Sequence, residues 1–201
     1  HSNPIYQEEW KDLKYGEVPT PMTKKQLSTF GLFLEYRMLN QPLPQFKAIT
    51  VDGKKISPDS FRDMVTFINF WFYGCIPCMT EMPALNKLAE HYHEAEDVQI
   101  LSFFQDSIKL TDGGPLFESL IAWKEIDKFT EVDNQMELVA NADRFFEKFN
   151  INGFPTNTIV DKEGVIRRIF TGGKFTEEEN KYLTKQFIKE IESYRNGKKK
   201  R

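Results

Sequence analysis

Apolar residues run almost unbroken from Val65 to Phe72, and the run is rich in β-branched and aromatic side chains. That pattern predicts a strand buried on both faces. The period then changes. Met82, Leu85, Ala89 and Tyr92 recur at helical spacing, so Met79 to Tyr92 is expected to be a helix, kinked at Pro83 because the ring removes a backbone bond. Val98 to Phe104 is the next strand. Thr156 to Val160 and Val165 to Phe170 flank the tight turn Asp161-Lys162-Glu163-Gly164 and read as a hairpin ended by Gly172-Gly173. Thr176-x-x-Glu179 fits a capping box, in which hydroxyl and carboxylate each satisfy an orphan amide. The helix it opens has Leu183, Phe187, Ile191 and Tyr194 on one face, with Lys189 and Arg195 near the negative end of its dipole.

Upstream, Phe46 to Val51 reads as a strand, Asp52-Gly53 as a turn and Lys54-Lys55-Ile56 as the return. Ser57-Pro58 and Asp59 to Asp63 suggest one helical turn. Gln41-Pro42-Leu43-Pro44 is a stiff joint. Residues 1–40 carry no clean period, and Gln26 to Leu39 suits a short helix or a strand pair equally; this region is expected to be an N-terminal extension. Between the second strand and the hairpin, Gly113-Gly114 breaks the chain and Pro115 opens a helix with Leu116, Leu120 and Trp123. Phe129 to Val132 suggests a short strand, and Asp143 to Phe149 a helix with clustered phenylalanines. Buried strands alternating with helices, then a hairpin, make an α/β sandwich.

The composition narrows the functional classes. The chain has 201 residues, 40% of them hydrophobic and 28% charged, enough for one domain with an appendage. A net charge of −3 and a pI of about 5.7 argue against a nucleic-acid partner. The basic residues Lys198 to Arg201 read as a solvated tail after Gly197. No apolar run reaches the ~18 residues of a membrane span. The first residue is His1, compatible with a trimmed export signal and with a cloning scar.

Both cysteines, Cys75 and Cys78, fall where the buried strand turns into the helix. That spacing suits redox chemistry or a metal, not a structural framework. A thiol at a helix start is stabilised as thiolate, so Cys75 is expected to be the nucleophile and Cys78, more buried, the resolving thiol. Pro77 suits the first helical turn. Ile76-Pro77 adds no charge to hold the thiolate, so the pair is expected nearer the reducing than the strongly oxidising end of the range. Cys75-x2-Cys78-x12-His91 has a zinc-like beginning, but His93 follows His91 by only two residues, where a finger needs three to five between, so no metal site is expected.

The segment Asn69-Phe70-Trp71-Phe72-Tyr73-Gly74-Cys75-Ile76-Pro77-Cys78-Met79-Thr80-Glu81-Met82-Pro83 resembles the active-site segment of the thioredoxin superfamily, and more narrowly that of the TlpA/ResA-like thiol-disulfide oxidoreductases. Pro44-x-Phe46, Asp52-Gly53-Lys54, Gly153-Phe154-Pro155-Thr156, the turn at Asp161 to Ile166 and Gly172-Gly173 extend the resemblance over roughly residues 42–194. It implies a thioredoxin-like three-layer α/β/α sandwich with a central mixed sheet: residues 41–196 as the domain, 1–40 as the extension, a helical insertion, and 197–201 as the tail. It implies a disulfide reductase acting on exported proteins, with no cofactor beyond the redox-active disulfide Cys75–Cys78. Pro155 is expected cis beside that disulfide, with the Phe154 backbone pairing with an extended substrate. Ile76, Pro77 and Gly74 would form the rest of the substrate rim. Glu81 matches an acid that such proteins place near the thiols and could relay the Cys78 proton; the other reading is a solvated first-turn acid. Asn69 stands where thioredoxin has a buried Asp, and Gly74 where the family has a bulky residue. Trp71 fits either the family's Phe-Trp pair or an ordinary core position. The expected partners are protein thiol or disulfide substrates and an electron-donor thiol protein, met by a monomer in a periplasmic or otherwise extracytoplasmic setting, membrane-anchored before trimming in one version. The alternatives are a non-catalytic or metal-binding module on the same fold and a thiol peroxidase. The peroxidase needs Thr where Phe72 stands.

Overall fold

The computed structural model describes residues 38–50, 52–72, 75–105, 136–140, 151, 153–173 and 176–197. The expected elements at 116–126, 129–132 and 143–149, most of Gln26 to Leu39, and the basic tail lie outside the described residues.

The described strands are β1 (Ala48–Thr50), β2 (Lys55–Ile56), β3 (Val65–Phe72), β4 (Val98–Gln105), β5 (Glu137–Ala140), β6 (Thr156–Val160) and β7 (Ile166–Thr171). They form one sheet in the order β2-β1-β5-β4-β3-β6-β7. β4 runs parallel to β3 and to β5, and the other pairings are antiparallel. The sheet is therefore mixed, as expected. The sequence reading has no strand at Glu137–Ala140, whose four residues are too short for a pattern to show; pairing with β4 and β1 is what makes them one. β1 starts at Ala48, not at the expected Phe46, which is a core residue ahead of it.

Two helices, α1 (Ile76–Tyr92) and α2 (Glu177–Arg195), pack on the same face of this sheet. Alternation along β3 sorts its side chains. Val65, Phe67 and Trp71 face the helices with Leu85, Leu88 and Phe187; Ile68 and Phe70 face the other side with Phe46, Phe61 and Phe103. That other side is closed among the described residues by Met38, Leu43, Phe46, the 3-10 turn Pro58–Phe61 and Ile151. β3 is thus buried on both faces, as its unbroken apolar run predicts. Pro83 lies inside α1 with its ring exposed, and the last helix opens on the expected box, Thr176 Oγ1 accepting from the Glu179 amide at 3.2 Å and the Glu179 carboxylate accepting from the Thr176 amide at 3.1 Å.

Away from the cysteines the sheet and helices are tied by charge. Arg195 near the end of α2 and Lys162 in the β6–β7 turn both hold Asp97, just before β4. The hydrogen bond from Arg195, helped by Lys162, holds the Asp97 carboxyl below the usual carboxylate range.

Candidate active site

Cys75 is the N-cap of α1 and Ile76 its first helical residue. The Cys75 sulfur accepts the Cys78 amide N–H at 3.2 Å, and the Cys75 carbonyl receives the Met79 N–H at 3.0 Å. A sulfur at this place faces the positive end of the helix dipole and the orphan amides of the first turn, and no acidic residue of that turn opposes it. This arrangement lowers a thiol's pKa in Cys-x-x-Cys sites. Cys75 and Cys78 are joined as a disulfide, with 5.3 Å between their α-carbons. Cys78 is buried as expected, but Cys75 is only 4% exposed, so burial does not separate the two.

The walls around the disulfide come from distant parts of the chain. The Phe154–Pro155 peptide is cis, as the resemblance implies. The turn before β6 is closed by the Thr156 hydroxyl, which donates to the Gly153 carbonyl at 2.7 Å. The Gly172 amide, just past β7, donates to the Pro155 carbonyl at 2.9 Å. Gly173 then touches the active-site turn itself: a Cβ there would lie 2.8 Å from the Pro77 carbonyl oxygen and 2.9 Å from the Pro77 Cβ. Phe154, half-buried, meets Phe72 edge to face at 5.1 Å between centroids. Ile76 is 72% exposed beside the cysteines, an apolar side chain offered to solvent at the rim. Gly74 and Tyr73 lie outside the described residues, so the expected open rim at Gly74 is not placed.

Glu81 is not the solvated first-turn acid of one reading. It sits in the second turn of α1, wholly buried, and its Oε1 accepts a short hydrogen bond from Asn157 Nδ2. Residues three apart on a helix are surface neighbours, so this carboxyl shares a face with Cys78. Asn157 in turn accepts from Asn69 Nδ2 at 2.9 Å. Asn69, at the place of thioredoxin's buried Asp, and Glu81, the acid that could relay the proton instead, are ends of one buried chain through Asn157. Asn157 is not among the residues that motif or resemblance singles out, although its place two residues after Pro155 and two before the core residue Ile159 points it inward. Trp71 is a core residue here: it meets Phe104 edge to face at 5.0 Å between centroids and its indole N–H donates to Ser102 at 2.8 Å.

His91 and His93 lie at the far end of α1, roughly 24 Å of helix from Cys75, so they cannot share a metal with the cysteines. His93 Nδ1 is 2.8 Å from the Glu90 carbonyl oxygen. Among the described residues no group of three His, Cys, Asp or Glu side chains is disposed to hold a metal ion, and no helix is long and apolar enough to cross a membrane.

The sequence model of the AhpC/TSA family matches residues 39–169. The thioredoxin-like protein YneN of Bacillus subtilis is 31% identical over 144 residues, covering 66% of this chain and 71% of that protein. The thiol-disulfide oxidoreductase ResA of Bacillus thuringiensis is 24% identical over 147 residues, covering 73% of this chain and 78% of that protein. Among solved structures, the exposed lipoprotein thioredoxin Etrx1 of Streptococcus pneumoniae superposes with a TM-score of 0.52 at 19% identity, covering 72% of this chain and 99% of that one.

Proposed function

The chain belongs to the AhpC/TSA family and is a thioredoxin-like thiol-disulfide oxidoreductase, and from that premise we propose that it reduces disulfides in exported proteins, with Cys75 as nucleophile and Cys78 as resolving thiol. The observation that carries the reading is the Cys75 sulfur at the N-cap of α1, accepting the Cys78 amide. Helix amides and the helix dipole at that place favour a thiolate over a thiol.

In the reduced protein the Cys75 thiolate attacks one sulfur of a substrate disulfide. A Cys75–substrate bond forms, the substrate bond breaks, and the second substrate sulfur leaves as a thiolate that takes a proton. Cys78, deprotonated in the next step, attacks the Cys75 sulfur. This releases the other substrate thiolate and leaves the Cys75–Cys78 disulfide, which an electron-donor dithiol reduces. That disulfide is the whole redox apparatus of the reading. Ile76, Pro77, Phe154 and Pro155 form the lip that meets the substrate chain, Ile76 by apolar contact. Export agrees with the word exposed in the name of the Streptococcus pneumoniae structure. A peroxidase would need a hydroxyl where Phe72 instead packs its ring on Phe154.

Trapping tests the assignment. Cys78→Ser should accumulate a mixed disulfide with a protein substrate on Cys75, seen by non-reducing electrophoresis and mass spectrometry, while Cys75→Ser should trap little. Equal trapping on the two variants contradicts the assigned roles. Wild-type protein that fails to reduce insulin with dithiothreitol, or that consumes hydrogen peroxide instead, contradicts the activity.

A further inference from the structure

The helix-facing side of the central strands is apolar except for one row. On β3, Phe67 and Trp71 flank Asn69; on β4, Ile100 and Phe104 flank Ser102; on β6, Asn157 precedes Ile159. The register sets these three polar residues side by side, Asn69 opposite both Ser102 and Asn157. All three are buried. Buried polar groups cost stability unless they find partners, and a hydrogen bond between two of them fixes the orientation of both. Ser102 is occupied by the Trp71 indole. Asn69 gives an N–H to Asn157 Oδ1, which leaves the Asn157 amide nitrogen turned to the Glu81 carboxyl. The row thus ends on an acid that shares a helix face with Cys78.

Resting on the oxidoreductase reading above, we propose that Asn157 is a positioning residue for the thiol-disulfide reaction: its side-chain amide, oriented by Asn69, holds the Glu81 carboxyl beside Cys78 to supply and recover that thiol's proton. During reduction by a donor dithiol, one donor thiolate attacks the Cys75 sulfur. The donor–Cys75 bond forms, the Cys75–Cys78 bond breaks, and Cys78 leaves with the electron pair. Glu81 passes its proton to that thiolate. The second donor thiol, deprotonated, attacks the first donor sulfur and frees Cys75. The donor becomes a disulfide and loses two electrons and two protons; the cysteines gain the electrons, Cys78 keeps one proton, and the other goes to Cys75 or to solvent. Glu81 recovers its proton from the donor's through solvent. Asn157 touches no reacting atom. Its part is to keep the carboxyl from rotating away in a site where a small misplacement is costly.

The test is a double-mutant cycle on the reduction of oxidised protein by dithiothreitol, followed by stopped-flow tryptophan fluorescence. Asn157→Asp preserves shape and the acceptor for Asn69 but turns an oxygen, not an N–H, toward Glu81; Asn157→Ala removes the whole amide. Each should slow reduction about 10-fold, less than the roughly 100-fold or more that a general acid itself contributes, because the carboxyl is still present but no longer held. In a Glu81→Gln background, either change should add less than about 2-fold, because residues acting as one unit are not additive. Wild-type rates in both single variants, or effects that multiply in the Glu81→Gln background, overturn the assignment. A readout free of folding defects at position 157 is its own side-chain amide resonance. It should move between oxidised and reduced wild type and stay fixed in Glu81→Gln; no movement in wild type overturns the assignment equally. A wild-type disulfide that no dithiol reduces defeats the oxidoreductase reading itself, whereas normal wild-type reduction with multiplicative variants defeats only the role of Asn157.

Discussion

Gly173 is where the site depends on the absence of an atom. A methyl there would fall within 2.9 Å of both the carbonyl oxygen and the Cβ of Pro77, well inside van der Waals contact with the turn that carries the cysteines. Its neighbour Gly172 holds the Pro155 carbonyl. The two glycines therefore join both prolines of the site. Gly173→Ala is expected to cost about 1–3 kcal/mol, as overpacking does, and to lower the rate of insulin reduction by displacing the Cys75–Cys78 turn. Calorimetry and the insulin assay check it; a variant as stable and active as wild type contradicts the contact. In the sequence these glycines read as a strand end and as part of the family resemblance but not as a packing contact, because the contact joins positions far apart along the chain. Glu81 left a fainter trace. It lies three residues after Cys78 and four before Leu85, on the stripe of buried positions, but a carboxyl in that place reads by composition as solvated. What makes its burial tolerable is Asn157, on a strand that no local pattern connects to it.

Among the elements, α2 does more than cover the sheet. Asn180 Nδ2 donates to the Thr80 carbonyl at 2.7 Å, and the Thr184 hydroxyl to the Ala84 carbonyl at 3.2 Å, so the first turns of α2 grip α1 just beyond the cysteines. Phe187 fills the space under both helices, with Phe67 at 4.7 Å and Phe170 at 5.2 Å. Thr176→Ala removes the cap of α2 and should lower stability by about 1 kcal/mol. The Cys75–Cys78 potential should not change, since the cap touches neither sulfur. Chemical denaturation paired with a glutathione titration separates the two quantities, and a shifted potential would mean that the cap reaches the site. Elements of this kind were legible: the capping box, the periodic face of α2, and β3, β4, β6 and β7 with their ends within about a residue or two. β5 was not, because a four-residue strand owes its existence to its neighbours.

At the scale of the whole molecule, the end remote from the cysteines is fastened by Asp97. It receives Arg195 at 2.9 Å and Lys162 at 3.1 Å, linking α2, the β6–β7 turn and the lead into β4. The folded state depresses this carboxyl, chiefly through the Arg195 hydrogen bond, below the ~3.9 of a free Asp. The stabilisation is therefore complete above the unfolded value and is lost as pH falls through the folded one. The groups are about a third exposed, so solvent screening keeps the effect modest. Asp97→Asn should melt below wild type at neutral pH, with the gap closing below about pH 4. A gap that stays constant to pH 2 would assign the loss to something other than charge. The fold class and the strand-helix junction that bears the cysteines followed from periodicity and spacing. The direction of electron flow rests instead on how well the Cys75 thiolate is held, and the reduction potential of the Cys75–Cys78 pair measures that directly. Equilibration with glutathione or with thioredoxin of known potential should place it at about −200 mV or below, toward the thioredoxin value of about −270 mV. A value near −120 mV, that of a strong oxidant, would contradict the reductase account.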